Sequence, residues 1–396
     1  MTLQLVLVEA MRQVVATPAE ALRAAREVLG RVDARSHGLF VTESFDLLDG
    51  SVQVLVGNGW TPDDLREITR RRAGPHLCGV LADSLARHVA GCPGDLVEAQ
   101  WRAQVVALGE PVSVDPLRAE GLAQLLALAG ALDRLPRLAE VLPPPGRRDA
   151  RHRSAAGAGA SSEFADKQLA RVRALLAKAE STEYDAEAEA LTAKAQELIS
   201  RHALERLLGQ LDSGVGVGSS IGARRIWLDA PYLLAKGMLV NAVATANRSR
   251  AVISETLGCC TLVGAPRDLD AVELLSTSLL VQANVAMLRH GRQVDRGGTS
   301  RTRSFRQSFL IAYAGRIGER LTATDQSAVR EAPHADRLLP VLRATQEAVE
   351  AEFARLFPSL TTRSTTIGDA RGWAAGRAAA DLSLLDVYGK LTAEAG

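Results

Sequence analysis

The chain has 396 residues, of which 47% are hydrophobic and 23% charged, and its formal net charge is +1. These values are ordinary for a globular chain of two or three domains, each able to bury a core. A nearly neutral chain is not a globally basic nucleic-acid binder. Any role in binding nucleic acid therefore has to come from a local patch of charge.

The four cysteines are Cys78, Cys92, Cys259 and Cys260. Adjacent Cys259 and Cys260 cannot easily pair with each other, so the sequence predicts no disulfide framework and a cytoplasmic location. The N-terminus is apolar, but it lacks a basic region and reaches Glu9 too early for a signal peptide. Every apolar run of about 18 residues carries a charge, so we predict no membrane span and no membrane partner.

Residues 1–142 are predicted to form a helical domain. Thr17–Glu20 and Thr61–Asp64 are two capping boxes, each with proline at the first helical position. Another helix is predicted to begin at Asp115-Pro116 and to continue to Val141. These starts favour a bundle of helices with short connections.

Two of the predicted helices, 61–73 and 75–90, have the outline of a helix-turn-helix motif. Arg70, Arg71 and Arg72 lie at their junction, where they could contact DNA. The motif has weak sequence specificity, and an ordinary helical hairpin with a cationic last turn accounts for the same residues.

One cluster has the residue types of metal ligands, and its members are His76, Cys78, His88 and Cys92. A zinc site needs four soft or borderline ligands that converge tetrahedrally. Their spacing is unlike that of a zinc knuckle, and Cys78 and His88 lie almost three turns apart on one predicted helix. We therefore predict no metal site and no cofactor, and keep these four residues as the candidates to check.

Two segments are predicted to be linkers. Residues 143–163 contain three prolines, a basic run and many small residues, a composition that cannot build a core. Residues 209–223 are rich in glycine and serine and form the second linker.

Residues 164–208, between these linkers, are predicted to form a helical hairpin. The apolar residues of its first helix repeat with helical periodicity, and they are Leu169, Val172, Leu175, Leu176 and Ala179. Lys167, Arg171 and Lys178 gather on the opposite face. We call these three residues the cationic stripe.

The hairpin also carries a family resemblance. Its matching residues are Val172-Arg173-Ala174-Leu175-Leu176-Ala177-Lys178-Ala179-Glu180, Glu187-Ala188-Glu189-Ala190 and Lys194-Ala195-Gln196-Glu197-Leu198. This pattern resembles a bacterial and phage family known as domain of unknown function 2786, and the region after it resembles the companion domain of that family. The resemblance implies architecture only, and we predict separately that the chain is bacterial. The resemblance implies no activity, cofactor or catalytic residue, because none is established for the family.

Residues 224–396 are predicted to form a small α+β domain. Two strand-like runs, 250–255 and 259–264, are joined by a glycine-containing turn and form a β-hairpin. A long helix is predicted over 268–290, with Val281 among its inward residues. The predicted fold class is therefore mainly α, with an N-terminal helical domain, a helical hairpin and a small C-terminal α+β domain.

The strongest charge cluster lies in residues 289–306. Asp295 is its one acid, and its arginines are Arg289, Arg292, Arg296, Arg301, Arg303 and Arg306. Ser300, Thr302 and Ser304 could donate to phosphate oxygens, and the next helix begins within the cluster. We predict that this segment contacts the phosphates of DNA or RNA, with little dependence on sequence.

Base stacking is not predicted, because Phe305 and Phe309 share a helical face that is typical of a core. The leading prediction is a cytoplasmic, non-enzymatic accessory protein of nucleic acid, helped by the cationic stripe if that stripe lies beside residues 289–306. A protein–protein interaction module is the first alternative, docking through the apolar faces of the hairpin or through the Ala/Gly-rich strip, residues 367–382, near Trp373. A hydrolase with an unrecognised, metal-dependent site is the second, although the familiar catalytic motifs are absent from the sequence.

Overall fold

The computed structural model describes residues 3–13, 17–147, 163–182, 185–212, 221–295, 298–332, 335–360 and 368–382. The chain divides into two compact units, Met1–Ala150 and Arg151–Gly396, which we call unit 1 and unit 2. The predicted linker 143–163 spans this division, although residues 148–162 lie outside the described part of the chain.

Unit 1 is helical, as the sequence predicts. Its α-helices are α1 (Leu3–Gln13), α2 (Pro18–Leu29), α3 (His37–Gly57), α4 (Pro62–Arg72), α5 (Cys78–Ala90), α6 (Ala99–Ala107) and α7 (Ala119–Leu132). Short 3-10 segments lie at Ala34–Ser36, Pro75–Leu77 and Gly94–Leu96.

Both predicted capping boxes of unit 1 are confirmed. The Thr17 hydroxyl accepts from the backbone of Glu20, whose carboxylate accepts from the Thr17 backbone. In the second box Thr61 and Asp64 make the same reciprocal bonds, and both residues are buried. Trp60 precedes this cap and is fully buried, so the start of α4 is fixed by packing as well as by hydrogen bonds.

The last helix of unit 1 is shorter than predicted at both ends. It begins at Ala119, because Asp115 forms a turn in which its carboxylate accepts from the backbone of Leu117 at 3.0 Å. It ends at Leu132, four residues before Pro136, which has no backbone N–H to continue the ladder.

Unit 2 combines helices with one small sheet. Its elements are α8 (Glu163–Ser181), α9 (Asp185–Asp212), β1 (Gly222–Trp227), α10 (Leu233–Ala246), β2 (Arg250–Ser254), β3 (Cys259–Gly264), α11 (Pro266–Arg289), α12 (Thr302–Glu331), α13 (Ala335–Leu356) and α14 (Ala370–Leu382). This confirms a mainly α chain with a small α+β region, and the predicted β-hairpin is β2–β3.

The sheet is antiparallel, with strand order β1-β3-β2, and its central strand β3 is buried along its whole length. Cys260 and Leu262 belong to the main core of the unit, whereas Val263 packs with Val349 and Phe353 of α13. The sheet is therefore covered on both faces. This burial raises the pKa of the Cys260 thiol to about 12.

The helical hairpin shares the main core of unit 2. Val172 and Leu176 of α8 and Leu198 of α9 are buried in the same cluster as the sheet and helices α10 to α12. Helix α9 continues to Asp212, beyond the predicted boundary at 208, and residues 213–220 of the second linker lie outside the described residues.

A buried ionic network ties the hairpin to the rest of the unit. Nη1 of Arg248 lies 2.7 Å from Oδ1 of Asp325, which also accepts from the Ser200 hydroxyl of α9. Arg206 of α9 donates to Oδ1 of Asp268 at 2.8 Å. Burial opposes the charge of Arg248, but the carboxylates of Asp268 and Asp325 outweigh it and raise the pKa of its guanidinium.

The Ala/Gly-rich strip packs against α12 within the unit. A Cβ added at Gly372 would lie 2.3 Å from the carbonyl oxygen of Phe305, and one added at Gly376 would lie 2.1 Å from that of Phe309. Helices α12 and α14 are therefore in backbone contact, which only glycine permits at these two positions.

Helix α11 is long and apolar enough to span a membrane by length and composition, and 44% of its most apolar window is buried in the protein. Leu275 and Leu279 are fully buried in the main core, so we interpret α11 as a core helix. The inward position predicted for Val281 is wrong, because this residue is 40% exposed. The apolar face of α11 extends further than the elements that cover it.

Candidate functional site

Residues 289–306, which we call the arginine loop, connect α11 to α12. Arg289 ends α11, and the loop closes on itself through a bridge between Val294 and Ser300. The backbone N–H of Arg301 donates to the carbonyl of Gln293 at 2.9 Å. The base of the loop is therefore held by backbone bonds on both sides of the bridge.

The single acid of the loop is used within its turn. Oδ1 of Asp295 accepts from the backbone N–H of Thr299 at 2.9 Å, and the Asp295 N–H donates to the carbonyl of Thr299 at 3.0 Å. Asp295 therefore stabilises the turn of the loop.

The arginines of the loop are mostly directed to solvent. Arg292, Arg301 and Arg303 are exposed, and within the described part of the chain none of the three forms an ion pair. Arg306 is half-buried, with a buried Nε that has no hydrogen-bond partner in that same part of the chain. Arg296 lies outside the described residues. The core of the candidate surface is thus Arg292, Arg301 and Arg303.

The hydroxyls expected to contact phosphate instead bond within the loop. Thr302 Oγ1 donates to the carbonyl of Gln293, and Ser304 Oγ donates to the carbonyl of Arg301. Ser300 Oγ lies 3.5 Å from Thr302 Oγ1. These side chains shape the loop, and an anion would meet guanidinium groups first.

Helix α12 begins inside the loop without a side-chain cap at Arg301. Its first turn therefore keeps the partial positive charge of a helix N-terminus. Arg371 is exposed at the start of α14, one residue before Gly372, which packs against Phe305 of this first turn. Sequence analysis missed Arg371 because 65 residues of chain separate it from Arg306.

His290 is a second residue that sequence analysis missed. It is exposed, and its ring centroid lies 5.4 Å from that of Phe305 and 5.6 Å from that of Phe309. The predicted core positions of Phe305 and Phe309 are confirmed, because both are buried. No sequence pattern indicates that His290 lies on these rings, since the contact depends on how α11 and α12 pack.

The three arginines at the junction of the helix-turn-helix outline differ from Arg292, Arg301 and Arg303, because they bond to groups within unit 1. Arg70 and Arg71 both bond the carboxylate of Glu67, at 2.7 Å and 2.6 Å. The hydrogen bond from Arg70 is the main reason that the pKa of Glu67 is lowered. Arg72 donates to the carbonyl of Ala131 at 3.3 Å. These contacts stabilise unit 1, as the cationic last turn of an ordinary helical hairpin would.

Lys178 of the cationic stripe is engaged within the helical hairpin. Nζ of Lys178 lies 2.7 Å from the carboxylate of Glu187 on α9. This contact with Lys178 is the main reason that the pKa of Glu187 is lowered. Lys167 and Arg171 are exposed on α8. Helix α8 shares a cavity with residues 270–277 of α11, and the placement of Lys167 and Arg171 beside the arginine loop stays a prediction.

The structure does not bring the predicted metal candidates together. His76 precedes α5, Cys78 begins it and His88 lies in its last turn, about 15 Å from Cys78 along the axis. Cys92 Sγ donates to the carbonyl of His88. Among the described residues, no three His, Cys, Asp or Glu side chains form a group that could hold a metal ion.

His88 instead makes unit 1 sensitive to acid. Burial lowers its pKa from the ordinary value of 6.5, so the unfolded chain takes up the proton at a higher pH than the folded chain. The stability that unit 1 gains from keeping His88 neutral is complete above about pH 6.5, and it is lost as the pH falls through the lowered pKa of His88. We expect the urea midpoint of unit 1 to fall between pH 7.5 and pH 5.5, and to fall less in His88→Gln.

The matched control for His88 is His76→Gln, because His76 is exposed on the same stretch of chain. Hydrogen exchange of the α5 amides would report on unit 1 separately from unit 2. An equal pH dependence in wild type and His88→Gln would show that His88 is not the responsible group.

An open cavity of about 380 Å³ lies between α8, β1 and α11. Its charged lining includes Arg173 and Glu180 of α8 and Arg224 of β1. Arg224 donates to Asp270 at 2.9 Å and to Glu273 at 2.7 Å, two carboxylates that also line the cavity. These acids are engaged with a guanidinium, so the cavity does not present the free pair of carboxylates that a hydrolase would use.

The turn of the helical hairpin is closed by a hydrogen bond from the Thr182 hydroxyl to Glu187 at 2.7 Å. Residues 167–206, which include this turn, match the model of the family described as Protein of unknown function (DUF2786). This finding confirms the resemblance of the hairpin, and the resemblance of the following region to a companion domain stays a prediction. The DUF2786 segment is about a tenth of the chain. No curated protein and no solved structure matched the chain.

Proposed function

We propose that this protein is a non-enzymatic accessory protein that binds nucleic acid through its arginine loop. One observation carries the proposal. Arg292, Arg301 and Arg303 lie exposed on one short segment and have no carboxylate partner among the described residues.

Several other arginines of unit 2 are paired with carboxylates, in contrast to Arg292, Arg301 and Arg303. Arg201 bonds Glu197, Arg355 bonds Glu352 and Arg316 bonds Glu319, each within one helix. A neutralised guanidinium gains little from an added phosphate, because it must first give up its carboxylate. Arg292, Arg301 and Arg303 do not bear that cost, since none of them has a carboxylate partner among the described residues.

The surroundings of these arginines favour a polyanion over a single small anion. The guanidinium groups are spread along the loop and the first turn of α12, with Arg371 on the neighbouring helix. A phosphate backbone presents charges at intervals and can engage several such groups together, each as a fork of donors. Binding of this kind is largely independent of sequence and falls steeply with salt.

The test is binding of a labelled 20-nucleotide DNA by fluorescence anisotropy over a salt series. We expect wild type to bind at low salt, and the triple variant R292A/R301A/R303A to bind at least tenfold more weakly. The slope of log K against log salt concentration is negative, and losing three phosphate contacts should make it shallower by about 2 to 3.

A triple variant of paired arginines, R201A/R316A/R355A, is the matched control, because it changes the net charge by the same amount. Equal losses in the two triple variants would attribute binding to net charge and would contradict the proposal. Failure of wild type to bind at low salt would also contradict it. A salt-insensitive oligomer in that case would favour the protein-interaction alternative.

A further inference from the structure

We infer that the nucleic acid bound by the arginine loop is single-stranded, and that one of its bases stacks on His290. This inference rests on the proposed function and adds the class of nucleic acid. The observation behind it is an exposed ring held on buried rings, next to unneutralised arginines.

The ring of His290 is supported from within the protein. It lies over the buried rings of Phe305 and Phe309, tilted by 58° and 59° to them. Phe309 continues the row to Tyr313, whose ring centroid is 6.2 Å away at an interplanar angle of 13°. An exposed ring with this support presents a flat surface and loses little side-chain freedom when a ligand covers it.

The backbone of His290 is fixed where α11 ends. Its carbonyl accepts from Nε2 of Gln293 at 2.6 Å. Gly291 follows with φ of +62°, a left-handed conformation that ends the helix and that glycine adopts without strain. This hydrogen bond therefore fixes the backbone of His290 relative to Gln293 in the arginine loop.

Exposed apolar and cationic residues lie close to His290 in the chain. Leu288 on the last turn of α11 is 56% exposed, and Val294 in the loop is 45% exposed. Arg292 lies between these two residues in the chain and is exposed. An unpaired nucleotide offers the matching chemistry, an apolar base face joined to a phosphate.

A duplex would use only part of this surface, because its bases are stacked on each other and their faces are not accessible. Each base of a single strand has a free face, and stacking on an aromatic side chain strengthens binding with little dependence on the base. The exposed ring of His290 could therefore contact a base of a single strand, and a duplex would leave it unused.

The experiment compares three labelled ligands by anisotropy at one low salt concentration. These are a 20-nucleotide thymidine strand, an abasic strand of the same length and a 20-base-pair duplex. We expect wild type to bind the thymidine strand more tightly than the abasic strand, which has the same phosphates. H290A should weaken binding of the thymidine strand by about fivefold to a hundredfold and leave the abasic strand within about twofold.

H290F is the second variant, because phenylalanine keeps a ring on Phe305 and Phe309. It should bind the thymidine strand as wild type does or more tightly. Unchanged thermal unfolding of both variants would show that the packing of α11 on α12 is intact. An effect of H290A that is equal for all three ligands would be a structural effect and would overturn the inference.

The remaining outcomes separate this inference from the proposed function. Equal wild-type affinity for the thymidine and abasic strands, or tighter binding of the duplex, overturns the inference and leaves the proposed function standing. No binding of any of the three ligands ends both. If the protein instead binds vesicles containing phosphatidylglycerol, and L288S abolishes that binding, the surface contacts an anionic lipid and both ideas fail.

Discussion

Replacing Asp268 by alanine should lower the free energy of unfolding of unit 2 by about 3 kcal/mol or more. Asp268 is 3% exposed, and its carboxylate accepts from Arg206 and lies 3.7 Å from Nε of Arg248. The side chain of Arg248 is itself only 10% exposed. The variant would leave this guanidinium buried with one carboxylate, Asp325, in place of two, and most of the loss would come from the weaker compensation of its charge.

Glu319→Ala is the matched control for Asp268, because Glu319 also pairs with two arginines, Arg316 and Arg377. Its side chain is half exposed, so we expect a loss of about 0 to 1 kcal/mol. Urea unfolding of the full chain, followed by hydrogen exchange of the β3 amides, would measure both. Similar losses in the two variants would show that burial does not set the strength of these pairs.

Replacing Gly376 by alanine should destabilise the packing of α14 on α12 by about 2 to 3 kcal/mol. The new Cβ would lie 2.1 Å from the carbonyl oxygen of Phe309, and its next contacts are also backbone atoms. Backbone cannot move aside as a flexible side chain can, so the two helices must separate. Hydrogen exchange of the α14 amides should increase before that of the sheet.

Gly315→Ala supplies the control, because Gly315 lies in α12 and a Cβ there would meet no atom within 4 Å. Alanine has the higher helix propensity, so this variant should be stabilised by up to about 1 kcal/mol. Stabilisation of Gly376→Ala by a similar amount would contradict the close contact between the two helices.

Local signals explain the parts of the fold that the sequence predicted correctly. The boxes at Thr17–Glu20 and Thr61–Asp64 depend on atoms within four residues of one another, and both form as expected. The β2–β3 hairpin likewise follows from two apolar runs and a turn between them. In each case the interacting groups are neighbours in the chain.

The errors fall where distant packing decides. Val281 has the helical spacing of an inward residue, yet it is 40% exposed. The helical hairpin has its own apolar faces, and only the structure shows that these faces fill the core of unit 2. Periodicity shows which face of a helix is apolar, and only tertiary structure shows what covers that face.

The candidate surface is likewise determined in part by sequence and in part by tertiary structure. Sequence alone determined that the chain is near neutral with one dense cluster of arginines, because charge is a property of composition and position. Whether an arginine is neutralised depends on which carboxylate the fold places within about 4 Å of it. Tertiary structure therefore decided that Arg70 and Arg71 are paired, that Arg292, Arg301 and Arg303 have no such partner among the described residues, and that His290 lies on Phe305 and Phe309 beside them.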